Sequence, residues 1–424
     1  VSVDRATESA TGTVRSVRLR SLTWSVFVPM ALYGTGAGAA APMYALRALD
    51  LGASAGLAGL VVSLSGLGMV LTDLPAGRVV ARVGERGAIG LGSLLGLAGV
   101  LAAILAPNLA VLAAGMLLNG AAGAVWGLAR QSYLVAVVSP GDRGRALSTL
   151  AGAHRLGFFC GPFLGAGLVH VMGPNGGLWL QCVTTLLAGL AMVAVRDVGG
   201  ESGTHTLSSV VVENRRLLGT LGSAALLTGA ARAARQALLP LWAAHIGLSP
   251  VATSLIFGIA GAVDVLMSYP AGIWLDRYGR RATGIPSMLC FALGYAALPF
   301  TGSALTAGAA AVLLGLANGI SNGLIMTVGA DVAPPDRRAE FLGAWRLTHD
   351  IGMFAGPVAV GAISALAVLG AASFALALAA GAGAWTMYRW FPAGRAAVDR
   401  PRPDSGRTRL LSGRGCRAGA VRPR

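Results

Sequence analysis

The sequence predicts an all-α integral membrane protein with twelve transmembrane helices in two six-helix, pseudo-symmetric halves. Three observations predict it: long apolar runs poor in charge, arginines confined to alternate loops, and motifs that recur at a single offset of 195 residues. Of 424 residues, 55% are hydrophobic and only 12% are charged, with a mean hydropathy of +0.68. An ordinary soluble domain carries about 25% charged residues, so this chain could not clothe a water-facing surface of its size.

Twelve spans follow from apolar runs near the ~20 residues that a helix needs to cross hydrocarbon. They are 22–46, 55–76, 88–106, 109–137, 146–171, 176–195, 219–246, 250–272, 283–302, 304–333, 341–368 and 371–391. Glycines and prolines inside them are compatible with membrane helices, because neighbouring helices pack closely on small residues. The chain divides into an N-tail (1–21), an N-terminal half (22–195), a polar linker (196–218), a C-terminal half (219–391) and a basic tail (392–424). That last tail, rich in arginine, proline and glycine, is expected to be disordered or to rest on anionic headgroups.

The net charge is +16, and every basic residue is arginine. Such a balance in a soluble protein would point to nucleic acid; here the arginines set topology. The N-tail and the loops after the even-numbered spans hold them, while the intervening loops hold only Arg47. The positive-inside rule then places both termini in the cytoplasm, in a cell membrane. Four scattered cysteines give neither a disulfide framework nor metal spacing. The N-terminal residues carry no cleavable leader pattern, and no removable signal peptide is expected.

The repeat supports two halves. A shift of 195 carries Pro75, Gly77, Arg82, Gly84 and Arg86 onto Pro270, Gly272, Arg277, Gly279 and Arg281. The same shift carries His154, Gly157, Gly161 and Pro162 onto His349, Gly352, Gly356 and Pro357, and Ser54 onto Ser249. The stretch MSYPAGIWLDRYGRR (267–281) packs Asp276, Arg277, Arg280 and Arg281 into six residues at the end of an oily span. Arginines there interact favourably with the negative end of a helix, and an acid among them can fasten the loop as an ion-pair network. Gly77 and Gly272 are expected to admit a neighbouring helix closely.

With twelve spans, two halves and this loop, the chain resembles the major facilitator superfamily, whose loop signature runs Asp-x-Pro-x-Gly-x-x-x-Asp-Arg-x-Gly-Arg-Arg. The second copy supplies Pro270, Gly272, Asp276, Arg277, Gly279, Arg280 and Arg281, with Ser268 for the leading acid. The first supplies Asp73, Pro75, Gly77, Arg82, Gly84 and Arg86, with Ala81 for the inner aspartate and Glu85 for an arginine. The resemblance implies a latch between the halves that breaks during transport, with the second copy the more intact.

The fifth and eleventh spans contain GFFCGPFLGAG (157–167) and GMFAGPVAVGA (352–362). Gly-x-x-x-Gly lets helix backbones approach, and an internal proline bends a helix. Gly157, Gly161, Pro162 and Gly165 resemble the fifth-helix signature of the drug–proton antiporter branch, which implies export. That branch carries Arg-x-x-Gln-Gly in its fourth helix; Asn119 and Ala122 replace the arginine and glutamine here.

An ionisable group inside hydrocarbon costs a few kcal/mol, so it faces a cavity or a partner. Arg130, His154, Arg155, Arg232, Arg235, Asp264, His349 and Asp350 are such groups. Asp264 and Asp350 are the candidate proton carriers, with His154 and His349 at equivalent repeat positions. Arg232 and Arg235 share a helix face with Gln236, suited to an anionic substrate group or to pairing with the two acids. Asp331 and Arg346, nearer the span ends, are expected to be solvated. Interhelical ion pairs that merely fix packing are the bland alternative for all of these.

No phosphate-binding glycine motif, metal cluster or nucleophile–base pair stands in the sequence, so a non-enzymatic protein without cofactor is expected. The expected function is a secondary active, proton-driven exporter of small amphipathic molecules, working as a monomer in the lipid bilayer. An organic-anion importer, or a receptor that binds without transporting, are the alternatives.

Overall fold

The computed structural model describes residues 22–139, 142–193, 212–334 and 338–391. The tails, most of the linker and Arg337 lie outside the described residues, as does the side chain of Arg338. A short π-helical turn, Thr23–Phe27, leads into the first of twelve helices. These are α1 Val28–Asp50, α2 55–83, α3 85–105, α4 Leu109–Val137, α5 Arg143–Met172 and α6 Asn175–Val193 in the first half. The second half holds α7 Arg215–His245, α8 Pro250–Tyr278, α9 Arg280–Ala297, α10 Ala304–Val332, α11 Arg338–Leu366 and α12 Leu369–Trp390. Among the described residues ten helices meet both the length and the hydropathy for a membrane span; α1 and α6 complete the twelve. The glycines, prolines and tyrosines of α1 lower its hydropathy without shortening it.

Local chemistry repeats with the offset. Ser54 and Ser249 cap α2 and α8, each hydroxyl accepting from the backbone N–H three residues on, at 3.3 and 3.2 Å. At the far end of the same helices Gly84 and Gly279 take φ of +73° and +89°. Only glycine adopts that backbone cheaply, so the chain turns there from α2 into α3 and from α8 into α9. The motif loops therefore sit at one end of the bundle, here called the motif end.

Packing within each half repeats atom for atom. A Cβ on Gly157 would strike the carbonyl oxygen of Ala31, and one on Gly352 that of Leu226. Gly161 and Gly356 meet the carbonyls of Thr35 and Ala230 in the same way. In reverse, Gly34 and Gly229 meet the carbonyls of His154 and His349. Each contact in one half is its partner plus 195, so α1–α5 and α7–α11 are the same glycine-backed pair built twice. α5 and α11 run unbroken through Pro162 and Pro357.

The halves meet along two seams. α2 lies against α11, with Gly56 on Ala365, Gly59 on Gly361 and Gly66 on Phe354. α5 meets α8 where Phe163 covers Gly258 and Phe158 stands 6.1 Å from Phe257, ring centroid to centroid. Nothing lies within 4 Å of a Cβ built on Gly77, Gly152, Gly219 or Gly272 near the motif end, nor on Gly167 or Gly308 near the other end. The close helix approach expected at Gly77 and Gly272 is not made, because both face open space.

These contacts predict opposite responses to small additions. Gly161→Val and Gly356→Val push side chains onto backbone that cannot yield, so each should destabilise the purified protein by at least the ~1–3 kcal/mol typical of overpacking, read as a lowered melting temperature. Gly77→Ala should stay within about 0.5 kcal/mol of wild type or above it. Equal melting of all three would contradict the packing.

Candidate functional site

Between the halves lies a cavity in two connected lobes of about 340 and 170 Å³ that share His154, Phe158, Gln236 and Met353. The larger lobe is walled by α1 (Tyr33), α2 (Ser65, Met69), α4 (Asn119, Arg130) and α11 (Pro357). The smaller is walled by Arg155 of α5, Arg232 and Arg235 of α7, Asp264 of α8 and Asn318 of α10. Of the eight buried ionisable residues singled out in sequence, six thus line these two lobes, while His349 and Asp350 on α11 are not part of the lining.

Asp264 is held by neutral donors. Asn318 Nδ2 donates to its Oδ2 at 2.5 Å and Asn322 Nδ2 to its Oδ1 at 2.7 Å. Asn318 stands in the last turn of the first segment of α10, Ala304–Ile320, and Asn322 in the break that follows, where Ser321 and Asn322 interrupt the helix and Gly323 takes φ of +79°. Arg232 Nη2 donates to Asn322 Oδ1 at 3.0 Å, so the hydrogen-bonded link from Arg232 to Asp264 runs through that amide. Among the described residues neither Arg232 nor Arg235 forms an ion pair with Asp264 or Asp350, which leaves the expected pairing unmade. Arg235 is 4% exposed and its guanidinium lies 5.6 Å from the Phe257 ring centroid.

A second cluster joins the halves at the motif end. Arg346 Nε donates to Asp350 Oδ2 at 3.3 Å, and its Nη2 stands 3.8 Å from Asp73 Oδ1 on α2. His349 Nδ1 lies 3.1 Å from Asp350 Oδ1. One guanidinium thus serves two carboxylates from opposite halves. Arg346 is not a solvated end residue, because Asp73 and Asp350 converge on it; Asp331 likewise pairs with Arg280, at 2.7 and 3.2 Å.

The two loop copies are used differently from the sequence expectation. Asp276 is exposed and forms no ion pair among the described residues; Arg280 turns instead to Asp331 on α10, Arg281 stacks 4.0 Å from the Tyr388 ring centroid, and Arg277 lies over Tyr278. The network expected around Asp276 is absent because these cations face partners inside their own half. In the first copy Arg82 and Arg86 are exposed, while Glu85 is buried and accepts from Ser132 on α4 at 3.2 Å. The contact across the halves belongs to Asp73, the leading acid that the second copy lacks.

Where the branch signature would place an arginine, a neutral network stands. Asn119 Nδ2 donates to the Tyr44 hydroxyl at 2.5 Å, and that hydroxyl donates to Gln181 Oε1 at 2.7 Å. Arg130, one helical stretch further along α4, contacts Met30 Sδ and lies 5.3 Å from the Trp126 ring centroid. His154 sits beside Tyr33 and Phe158, with ring centroids 6.2 and 6.1 Å away. Reading the sequence took Arg346 for a solvated residue and missed Asn318 and Asn322; for Asn322 the Ser-Asn-Gly run inside a span was the available signal, since Asn-Gly favours a turn.

The comparisons with known proteins agree with this architecture. The profile described as Major Facilitator Superfamily matches residues 26–218 and 221–420, and the chain belongs to that family. It is a multi-pass membrane transporter by that membership. It is 26% identical over 236 residues to "Uncharacterized MFS-type transporter YfkF" of Bacillus subtilis (strain 168), covering 54% of this chain and 60% of that one. It is 24% identical over 318 residues to "Multidrug resistance protein MdtH" of Klebsiella pneumoniae (strain 342), covering 72% and 77% respectively. Solved structures share the fold at low identity. The nucleoside transporter NupG superposes with a TM-score of 0.70 at 15% identity over 88% of this chain and 99% of that one. A D-xylose-proton symporter gives 0.68 at 14% over 89% and 99%.

The shared guanidinium makes a prediction. Asp73→Asn and Arg346→Gln should be non-additive in a double-mutant cycle on unfolding, with a coupling towards the lower part of the ~0.5–3 kcal/mol range, since Arg346 is 35% exposed. The cycle Asp276→Asn with Arg277→Gln should show no coupling. The reverse ranking would return the latch to the second copy.

Proposed function

We propose that the protein is a proton-driven exporter of small amphipathic molecules, with the motif end in the cytoplasm. One observation carries this reading: the carboxylates of Asp73 and Asp350, from different halves, converge on the single guanidinium of Arg346. A proton taken by either acid removes half of what holds Arg346, and so weakens the tie between the halves. Proton binding and opening at that end are then one event, as alternating access requires. His349, with Nδ1 3.1 Å from Asp350 Oδ1, is placed to pass the proton onward.

The direction rests on different support. The Gly-x-x-x-Gly-Pro helix of α5 resembles the antiporter branch, and a protein named for multidrug resistance is among the relatives. The arginine-rich loops at the motif end favour the cytoplasmic side. The gradient replaces a cofactor, and the bilayer and a small-molecule substrate are the partners.

The test is efflux measured in everted membrane vesicles with an imposed pH gradient. Adding a protonophore should abolish accumulation of a substrate, and Asp350→Asn should lower gradient-driven accumulation at least tenfold while substrate exchange at equilibrium persists. Accumulation indifferent to the protonophore would refute proton coupling; accumulation only in right-side-out vesicles would refute export.

A further inference from the structure

We infer that the smaller lobe of the cavity is an anion site, and that the transported molecule carries a carboxylate or comparable organic anion on an apolar body. The inference rests on the transport reading for the word transported, and on the protein's own charges for the rest.

Arg155, Arg232 and Arg235 share the wall of this lobe with one carboxylate, Asp264. Three cations face one anion, and that anion is already satisfied elsewhere: both of its oxygens accept from asparagine amides at 2.5 and 2.7 Å. The Asn318 and Asn322 amides occupy both oxygens of Asp264, so its single charge, which Arg155 and Arg232 share, leaves the three cations in excess. Among the described residues the only hydrogen bond these three guanidiniums make within the protein is Arg232 to Asn322. Arg235 is 4% exposed, forms no ion pair, and its Nε is buried without a hydrogen-bond partner.

A guanidinium carries five N–H donors in a planar fork that matches a carboxylate or phosphate. Burying one without a counter-charge is costly, more so amid hydrocarbon. The halves contribute to the lobe jointly, Arg155 from one and Arg232 and Arg235 from the other, so an anion bound among them would be held by both. The apolar wall beside the cations is aromatic, from Phe158 and Phe159. Charge at one end and rings at the other define an amphipathic anion, not a bare inorganic ion. An amphipathic cation would meet net positive charge here.

The site is built from side chains that the repeat does not duplicate. Positions 195 residues from Arg232, Arg235 and Asp264 are Ala37, Ala40 and Met69, and Arg155 faces Asp350 in the alignment of halves. The shared scaffold is symmetric, whereas the charge is peculiar to this lobe.

The experiment uses the full chain in phosphatidylcholine nanodiscs, reading the melting temperature and the affinity for 4-phenylbutyrate, 4-phenylbutylammonium and 4-phenylbutanol. The carboxylate should stabilise the protein, and Arg235→Gln and Arg155→Gln should each weaken its binding at least tenfold, with the cation and alcohol binding no better to wild type than to the variants. Should Arg235→Gln fold poorly, Arg155→Gln on the opposite half carries the test. Binding of the cation in preference to the carboxylate would overturn the inference. Stabilisation by phosphatidylglycerol in the disc, with none by the carboxylate, would overturn it too, marking the lobe as a lipid headgroup site. The same probes in the vesicle assay separate the two readings. Carboxylate binding without flux would leave the anion site standing and remove the transport reading, whereas flux of amphipathic cations without carboxylate binding would do the reverse.

Discussion

A charged side chain between two helix bundles has three ways to be tolerated: water, a protein partner or a ligand. In this protein that constraint orders the charged clusters between the halves. At the motif end Arg346 is divided between Asp73 and Asp350, so charge is met by partners from both halves. Deeper in, Asp264 is met by two neutral amides, and three arginines keep most of their donors. Further along, where a branch relative would carry another cation, Tyr44, Asn119 and Gln181 satisfy one another without charge. The interior therefore grades from a paired cluster through a cation-rich lobe to a neutral network.

The scaffold holding these groups is rigid for a simple reason. Glycines on α5 and α11 put backbone against backbone on α1 and α7, and repeat at the same offset in both halves. Interfaces of that kind have little room to slide, because any shift drives Cα atoms into carbonyl oxygens. The seams between the halves are different in character. They close by aromatic and small-residue contacts away from the motif end and by an ion pair near it, and the intervening surface is cavity. Motion is thus easier between the halves than within them.

Much of this was legible in the sequence, and the limits have physical causes. The span count, the halves and the glycine contacts follow from composition and from a fixed offset, since periodic features survive without knowledge of tertiary neighbours. The eight buried ionisable residues were found because hydrocarbon makes any such residue conspicuous. Their partners were not, because Asp73 meets Arg346 from a helix more than 270 positions away in sequence, and no local pattern encodes that. Asp276 was misjudged for the opposite reason: its neighbours in sequence are cations, yet in space those cations face Asp331 and Tyr388. The α10 break was readable from Ser-Asn-Gly, but a polar run inside a span resembles ordinary tolerance of glycine until the Asn322 amide is seen on Asp264.

The account turns on two stiff halves linked near the motif end through the Arg346 guanidinium, and spin-label distances test that most directly. In a cysteine-free background, labels at Gly77→Cys and Gly272→Cys report across the halves, and labels at Gly77→Cys and Gly152→Cys report within one. All three sites have open space beside them. With Asp73→Asn introduced, the cross-half distance distribution should shift or broaden towards wider separations while the within-half distribution stays in place. A within-half change as large as the cross-half one, or no change in either, would contradict the account.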